Sequence, residues 1–471
     1  MAYSWPDITP AFDDWELWRA AAEVARAGFL DAPSLALLAQ TRRQALIRHA
    51  SRHSAFYQQH YRGIDPLSAP LTALPPVNKK LLMSRFDAWV TDPHVTQQGV
   101  LAFMRNTQQI GQYYLGRHAV WTSSGTTGTP GIFVHDRSAL AVYDALTATR
   151  FDGGGILRNF LQGLVLQGGR AALIAAVGSH YAGAATWMRL QRRHPWLASS
   201  ARVFSVCAPL HALVKDLNRF QPAFVASYPS VLLALAQARQ AGQLAISPTA
   251  LWSGGEVLTP SARLLIEQAF GCRVVNEYGA SECMSIAFEC RHGNLHVNAD
   301  WVQLEPVDKH YQPVHPGVDP HTVLLTNFAN RVQPLIRYDL GDRVTAVPQP
   351  CPCGSTLPAV RVDGRRDDTL YLDTPSGRQI ALVPMTMTTA IEQASGAHRF
   401  QIRQTARHRF DLRLVADQPG GTPEARRVAA AALRALLARH GLKHVQVTAS
   451  DEEPQIDPGS GKLRQVIGLP H

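Results

Sequence analysis

From residue 171 the chain alternates short apolar runs of small or β-branched residues with longer stretches whose apolar positions recur at helical spacing. "AALIAAV" (171–177), "AFVAS" (223–227), "ALWSGGE" (250–256) and "RVVNEYG" (273–279) have the length and composition of buried strands. "SVLLALAQARQAG" and "TPSARLLIEQAFG", lying between them, read as helices. Strand, helix, strand in that rhythm predicts parallel βαβ units, and hence an α/β core with helices on both faces of its sheet. Ahead of this region, residues 13 to about 60 carry apolar positions at helical spacing, with Asp31 and Pro33 as start signals.

After about residue 365 the rhythm changes. "GRRDDTLYLD" resembles a hinge running into a strand, and the remainder reads βαββαβ: "TLYLD", "MTMTTAIEQA", "RFQIRQT", "RFDLRLVA", "TPEARRVAAAALRALLARHG" and "KHVQVTA". The second of these helices is predicted to begin with Thr422 as its cap and Pro423 at the first helical position, and to end before Gly441. The partition is a large α/β domain over 1–364, opening with a helical segment over 1–90, and a small α+β domain over 365–471.

Composition sharpens this little: 471 residues with 46% hydrophobic and 17% charged describe a folded chain able to bury more than one core. The first thirty residues carry acidic groups where a secretory signal carries basic ones, and no apolar run approaches membrane-spanning length. A cytoplasmic protein without a membrane segment is expected. The formal charge of +10 comes from scattered Lys and Arg, with only short clusters such as "RRHPW" and "GRRDD", which reads as a solvated surface and not as a nucleic-acid footprint. Six cysteines are too sparse for a disulfide framework in a chain of this length, so their spacing carries the information.

The stretch "WTSSGTTGTPGIFVHD" (121–136) concentrates hydroxyl and glycine residues ahead of a β-like run, which predicts a strand-to-strand turn. Ser123, Ser124, Thr126, Thr127 and Thr129 supply hydroxyls beside backbone N–H groups, and Gly125 and Gly128 permit close backbone approach. Such a nest suits a polyphosphate. It lacks G-x-x-x-x-G-K-[ST], so the NTPase class that carries that loop is not indicated.

"SSGTTGTP", "NEYGASE" (276–282), "RYDLGD" (337–342), "GRRDD" (364–368) and "DPGSGKLRQV" (457–466) follow one another in the order and at the spacing of the acyl-adenylate-forming ligases. With the N-terminal "ALIRHASRHSAFYQQHY" and "LPPVNKKLLMSRFDAW", the chain from about residue 40 to its end resembles the phenylacetate–CoA ligase family. That resemblance implies an adenylate-forming fold with a mobile C-terminal lid. It also implies a reaction in which a carboxylate attacks the α-phosphate of ATP, after which a thiol, most readily CoA, takes the acyl group. An aryl or arylacetic acid is favoured as substrate. A carrier protein or an amine is the alternative acceptor, a non-catalytic nucleotide-binding scaffold is the reading of another class, and a homodimer is a further expectation from similar ligases.

The residues expected to do this work follow from the matched motifs. The loop residues Ser123 to Thr129 would grip the β- and γ-phosphates, with Tyr278 offering a face to adenine beside Gly254, Gly255 and Glu256. Glu277, Gly279 and Ser281 belong to the same nucleotide set, Glu282 is the Mg²⁺ ligand, and Asp342 is the acceptor for the ribose hydroxyls. Lys462 would bridge the carboxylate and the α-phosphate, Arg365 at the hinge is a further catalytic and nucleotide-binding residue, and Asp367 is the hinge residue proper. His180, Tyr181 and Tyr228, at strand ends, are candidates for the acyl pocket.

A second constellation is independent of the first. Cys290 and His296 in "ECRHGNLH", with Cys351 and Cys353 in "CPCG", have the makings of a closed tetrahedral Cys₃His Zn²⁺ site, with His292 competing for the nitrogen position. Cys207, Cys272 and Cys283 read as ordinary buried thiols. Two departures from the family pattern stand out. Thr129 occupies the place where relatives usually carry lysine, and "YLDTPSGRQIALVPM" replaces the usual post-hinge glycine loop, which bears on CoA as acceptor.

Overall fold

The computed structural model describes residues 10–123, 131–150, 169–256, 258, 260–318, 320–362, 370–382, 384–397, 399–416, 421–455 and 465–469. Ser124 to Thr129, Arg365, Asp367 and Lys462 lie outside the described residues.

The four apolar runs form parallel strands and are joined by a fifth that was not foreseen, Ala201–Ser205, in the order Ala201–Ser205, Ala171–Ala175, Phe224–Ser227, Ala250–Gly254, Val274–Ala280. The helices predicted between them are Pro229–Gln240 and Pro260–Phe270. Beyond Val274–Ala280 the sheet changes character and continues antiparallel through Cys283–Glu289, Leu295–Val297, Ala359–Val362 and Val344–Ala346, making nine strands. A three-stranded antiparallel sheet, Val302–Val307, Thr322–Asn327 and Leu335–Asp339, stands beside it. The antiparallel half was not foreseen, because its strands are short and several alternate polar with apolar residues.

The N-terminal segment is helical as expected, in three pieces: Pro10–Ala27, Ala32–His53 and Ala55–His60. Asp31 accepts from the Ser34 N–H at 2.9 Å and starts the second helix; Ser54 ends it and caps the third. Helices from this segment pack against the three-stranded sheet through Leu46, Tyr57, Phe86 and Trp89, and both the Tyr57 hydroxyl and the Trp89 indole donate to the Pro334 carbonyl. "TSSGTTGTPG" does join two antiparallel strands, Ala119–Thr122 and Ile132–His135.

The smaller C-terminal domain has its own apolar core, built from residues between Leu370 and Val466. Its four strands run in the order Gln446–Ser450, Arg409–Val415, Arg399–Ala406, Val466–Ile467, with helices Pro384–Ser395 and Thr422–Arg439 packed together. Two expectations are corrected here. The βαββαβ order lacks a strand, Gln379–Leu382, which pairs with Leu370–Asp373 as a hairpin. Thr422 is the first helical residue and not the cap: Gly421 precedes the helix without a side-chain cap, and the Thr422 hydroxyl instead accepts from the Ala416 N–H at 3.2 Å. Among the described residues no helix is long and apolar enough to cross a membrane.

Candidate active site

The parallel strands end, at their C-terminal edge, on a cavity of about 1200 Å³, the position where open α/β sheets usually receive ligands. Thr122, Ser123, Tyr228, Gly255, Ser281, Glu282 and Asp342 all border it.

Local chain geometry sets the cavity's crest. Val274–Ala280 turns back at once into Cys283–Glu289, so Ser281 and Glu282 form the tip between two antiparallel strands. The pairing slips between Tyr278 and Ala280, bringing the backbone of Gly279 so close to the Met284 carbonyl that any side chain at 279 would collide with it. The tip is tied to the small-residue loop. The Ser281 hydroxyl donates to the Thr122 carbonyl at 3.1 Å, and His135 Nε2 meets the Ser281 carbonyl at 3.0 Å. Across the base of that loop, Ser123 N–H donates to the Gly131 carbonyl at 3.0 Å, while the Ser123 hydroxyl accepts from Gly131 N–H at 2.9 Å.

Glu282 is buried, and burial pushes its carboxyl above the usual range. The Lys79 charge and the Tyr338 hydroxyl, which donates to Oε1 at 2.9 Å, pull it back toward the ionised form; Asp342 opposes them. The Tyr278 hydroxyl donates to Asp342 Oδ2 at 2.9 Å. Ser281, Glu282 and Asp342, expected from two separate motifs, therefore border one cavity, and Tyr278 reaches it through its hydrogen bond to Asp342.

Lys79 was not anticipated. It opens the short helix Lys79–Ser84, whose cap is Asn78, and it borders the same cavity as Glu282. It sits in "NKKLL", a segment noted only for its resemblance to the family's N-terminal region. A lysine on a polar surface turn gives no signal of the carboxylate it will face two hundred residues later.

The remaining candidates divide. Tyr228 and Tyr181 line the cavity. The Tyr228 hydroxyl accepts from Ala176 N–H at 3.3 Å, and burial pushes it up to about 12. His180 does not line it: its buried ring packs on Phe103, 5.2 Å between centroids, its carbonyl accepts from Thr122 N–H at 2.8 Å, and burial pushes the imidazole down to about 4. Glu256 is not among the residues bordering the cavity. Glu277 borders it, but by strand alternation its side chain lies on the face opposite Tyr278, where it meets Ser285. Its side chain is thereby turned away from the Tyr278–Asp342 pair.

The second constellation also assembles. The ligand atoms of Cys290, His296, Cys351 and Cys353 all lie within 4.8 Å of one another, with Cys290 Sγ to Cys351 Sγ at 3.6 Å and Cys353 Sγ to His296 Nε2 at 3.4 Å. These are edge lengths of a tetrahedron with bonds near 2 Å. His296 Nδ1 faces the Leu357 carbonyl at 2.8 Å, which leaves Nε2 as the bare nitrogen; Asn294 Nδ2 donates to Cys351 Sγ at 3.2 Å. Gly354, at φ +82, makes the tight turn that lets two thiols from C-x-C converge. His292 is exposed and contacts Arg291, so the nitrogen position falls to His296. Cys283 is buried as expected, whereas Cys207 and Cys272 are partly exposed.

No family model matches the chain. A stretch of 133 residues is 31% identical to Protein CapK of Staphylococcus aureus, covering 28% of this chain and 28% of that protein. A stretch of 277 residues is 27% identical to phenylacetate-coenzyme A ligase of Thermus thermophilus, covering 54% of this chain and 56% of that one. The chain thus spans little more than half the length, or less, of the curated relatives it matches. Among solved structures, 2-hydroxyisobutyryl-CoA ligase in complex with 2-HIB-AMP and CoA in the thioesterification state superposes over 94% of this chain and 91% of its own, at a TM-score of 0.56 and 20% identity. The same ligase with 2-HIB-AMP in the postadenylation state gives a TM-score of 0.51 at 21% identity, over 91% of this chain and 88% of that one.

Proposed function

The chain has the fold of the acyl-adenylate-forming ligases, and on that premise we propose that it is an ATP-dependent, carboxylate-activating acid–thiol ligase. The observation that carries the reading is the convergence of Ser281, Glu282 and Asp342 on one cavity beside the base of the Ser/Thr/Gly loop, with Asp342 held by the Tyr278 hydroxyl. In the first step an oxygen of the bound carboxylate attacks the α-phosphorus of ATP, and the bond to the β-phosphate oxygen breaks, releasing pyrophosphate. In the second, a thiol attacks the acyl carbonyl of the adenylate, AMP leaves, and the thiol proton passes to solvent or a base.

The side chains divide the labour. Asp342, positioned by Tyr278, accepts from the ribose hydroxyls. Glu282, whose ionised form Lys79 and Tyr338 favour against burial, is a hard oxygen ligand suited to Mg²⁺, which would neutralise charge on the phosphates. Ser123 with residues 124–129 grips the departing pyrophosphate. Thr129 leaves that loop without its lysine, and Lys79 supplies a positive charge at the border of the cavity. Lys462 arrives from the C-terminal domain, turning about Arg365 and Asp367, for the adenylation step.

The acid is of aryl or arylacetic type, since Trp187, Phe224, Tyr228 and Trp252 border the cavity below these residues. CoA is the acceptor. A carrier-protein thiol or an amine is the second reading, favoured by the hairpin Leu370–Asp373 and Gln379–Leu382, whose turn at 374–377 stands where the resembled family has its glycine loop. Zn²⁺ is held by Cys290, His296, Cys351 and Cys353 as a closed structural set that pins the Cys351–Gly354 turn to the sheet and takes no part in the reaction.

Carboxylate-dependent exchange of labelled pyrophosphate into ATP tests the reading, run with aryl, arylacetic, fatty and amino acids. Exchange with at least one acid is expected. Folded protein that binds ATP yet exchanges with none of them overturns the ligase reading in favour of a nucleotide-binding scaffold.

A further inference from the structure

One wall of the cavity is an apolar sheet face interrupted by a single carboxyl. Phe224 and Ala226 pair with Ala250 and Trp252, and the next strand sets Val275 beside Trp252 and leaves Glu277 opposite Gly254. Residues two apart share a face. Phe224, Ala226, Trp252 and Glu277 therefore look the same way, and all four border the cavity.

The surroundings of Glu277 give it little to do for the fold. Its Oε1 accepts from the Ser285 hydroxyl at 3.0 Å, with the Thr147 hydroxyl 3.5 Å beyond that serine. Behind it is a void of about 10 Å³, too small for more than one water, shared with Arg150. Arg150 is engaged elsewhere, paired with Asp300 and donating to Asn298, each at 2.7 Å. Among the described residues no cation pairs with Glu277, and burial pushes its carboxyl up to about 8. A carboxyl set in an apolar wall with one hydroxyl partner costs stability that a leucine or valine would not.

Position gives the cost a use. Glu277 lies four residues before Ser281 at the tip, roughly 13 Å by strand rise, a span that one substituted ring largely fills and that a long alkyl chain exceeds. We propose that Glu277 determines the specificity of the acyl pocket, and that the acid this protein activates carries a protic substituent, hydroxyl or amino, at the end remote from its carboxylate, hydrogen-bonded to Glu277. The inference rests on the ligase reading above. A site built to hydrogen-bond a substrate O–H or N–H rejects the analogue lacking it far more strongly than an apolar pocket rejects an extra group, because the analogue leaves the buried polar atom without a partner.

The test uses pyrophosphate exchange with the full-length protein and matched pairs of ring acids that differ only by hydrogen against hydroxyl, or hydrogen against amino, at the distal position. The wild-type protein is expected to favour the protic member of at least one pair by about 100-fold or more in kcat/KM, and the pair that responds identifies the substituent. Glu277→Leu should collapse or invert that ratio. Two outcomes overturn the inference while leaving the ligase reading intact: wild-type protein that favours the unsubstituted acids, and Glu277→Leu protein that keeps the wild-type ratio. Absence of exchange with every acid removes the ligase reading and the inference with it. Should Glu277→Leu fail to fold, the wild-type ratio decides alone.

Discussion

Tyr278 and Asp342 are 64 positions apart in the chain and 2.9 Å apart at their hydrogen-bonded oxygens. The bond fixes the aspartate's orientation, so that its carboxylate meets an incoming ribose already in place. Asp342→Ala removes both the acceptor and the anchor of the Tyr278 ring, and hydrogen bonds to a charged group are worth about 1.5–3 kcal/mol each. The expected result is a rise of roughly 10- to 100-fold in the KM for ATP during exchange at saturating acid, with an unchanged far-ultraviolet circular dichroism spectrum. An ATP KM equal to that of the parent would remove Asp342 from the nucleotide site. At this scale the sequence was legible where a motif fixed both residue type and spacing, as for Ser281, Glu282 and Asp342. It was illegible where the fold alone makes the neighbour, as with Lys79 and Glu282. Glu277 and Tyr278, adjacent in "NEYG", face apart, because a strand sends successive side chains to opposite faces.

Among the elements, the parallel strands and their helices were readable because continuous apolar runs and helical periodicity signal them directly. Leu295–Val297, Ala359–Val362 and Val344–Ala346 were not, being three or four residues long and defined by their partners more than by their own pattern. Yet these strands organise the cysteine cluster, since Leu295–Val297 pairs with Ala359–Val362 and carries His296, while Cys351 and Cys353 stand on the turn leading into the latter. A metal there cross-links two strand connections whose own hydrogen bonding is short. Purified protein should hold about one equivalent of zinc by elemental analysis, and Cys353→Ser should lose it and melt roughly 5 °C or more lower. Cys272→Ser, outside the cluster, is the control and should retain the metal. Parent protein purified without chelators and free of metal would refute the assignment.

Across the whole molecule the two domains meet through a carboxyl. Glu392, on the helix Pro384–Ser395 of the C-terminal domain, accepts from the Tyr181 hydroxyl at 3.3 Å, and its neighbour Gln393 donates to the Val177 carbonyl of the large domain. Gln465, three residues beyond Lys462, also hydrogen-bonds Glu392, so the contact joins the acyl-pocket wall to the segment that carries the proposed catalytic lysine. Burial pushes the Glu392 carboxyl up to about 7. When the domains separate, water returns and the group reverts toward the ordinary glutamate value near 4.5, so the docked arrangement binds the proton more tightly than the separated one. The sign follows: docking is fully favoured below about 4.5, weakens steadily as pH rises toward 7, and stays weaker above it by an amount on the order of 3 kcal/mol. If the C-terminal domain rotates between an adenylating and a thiol-transfer position, this contact biases the rotation with pH. Dyes placed on the two domains should report a docked fraction that falls between pH 5 and pH 7 in the ligand-free protein. Glu392→Gln, neutral at every pH yet still able to accept from Tyr181, should hold the docked fraction constant over that range, whereas a variant that still titrates would assign the transition to another group.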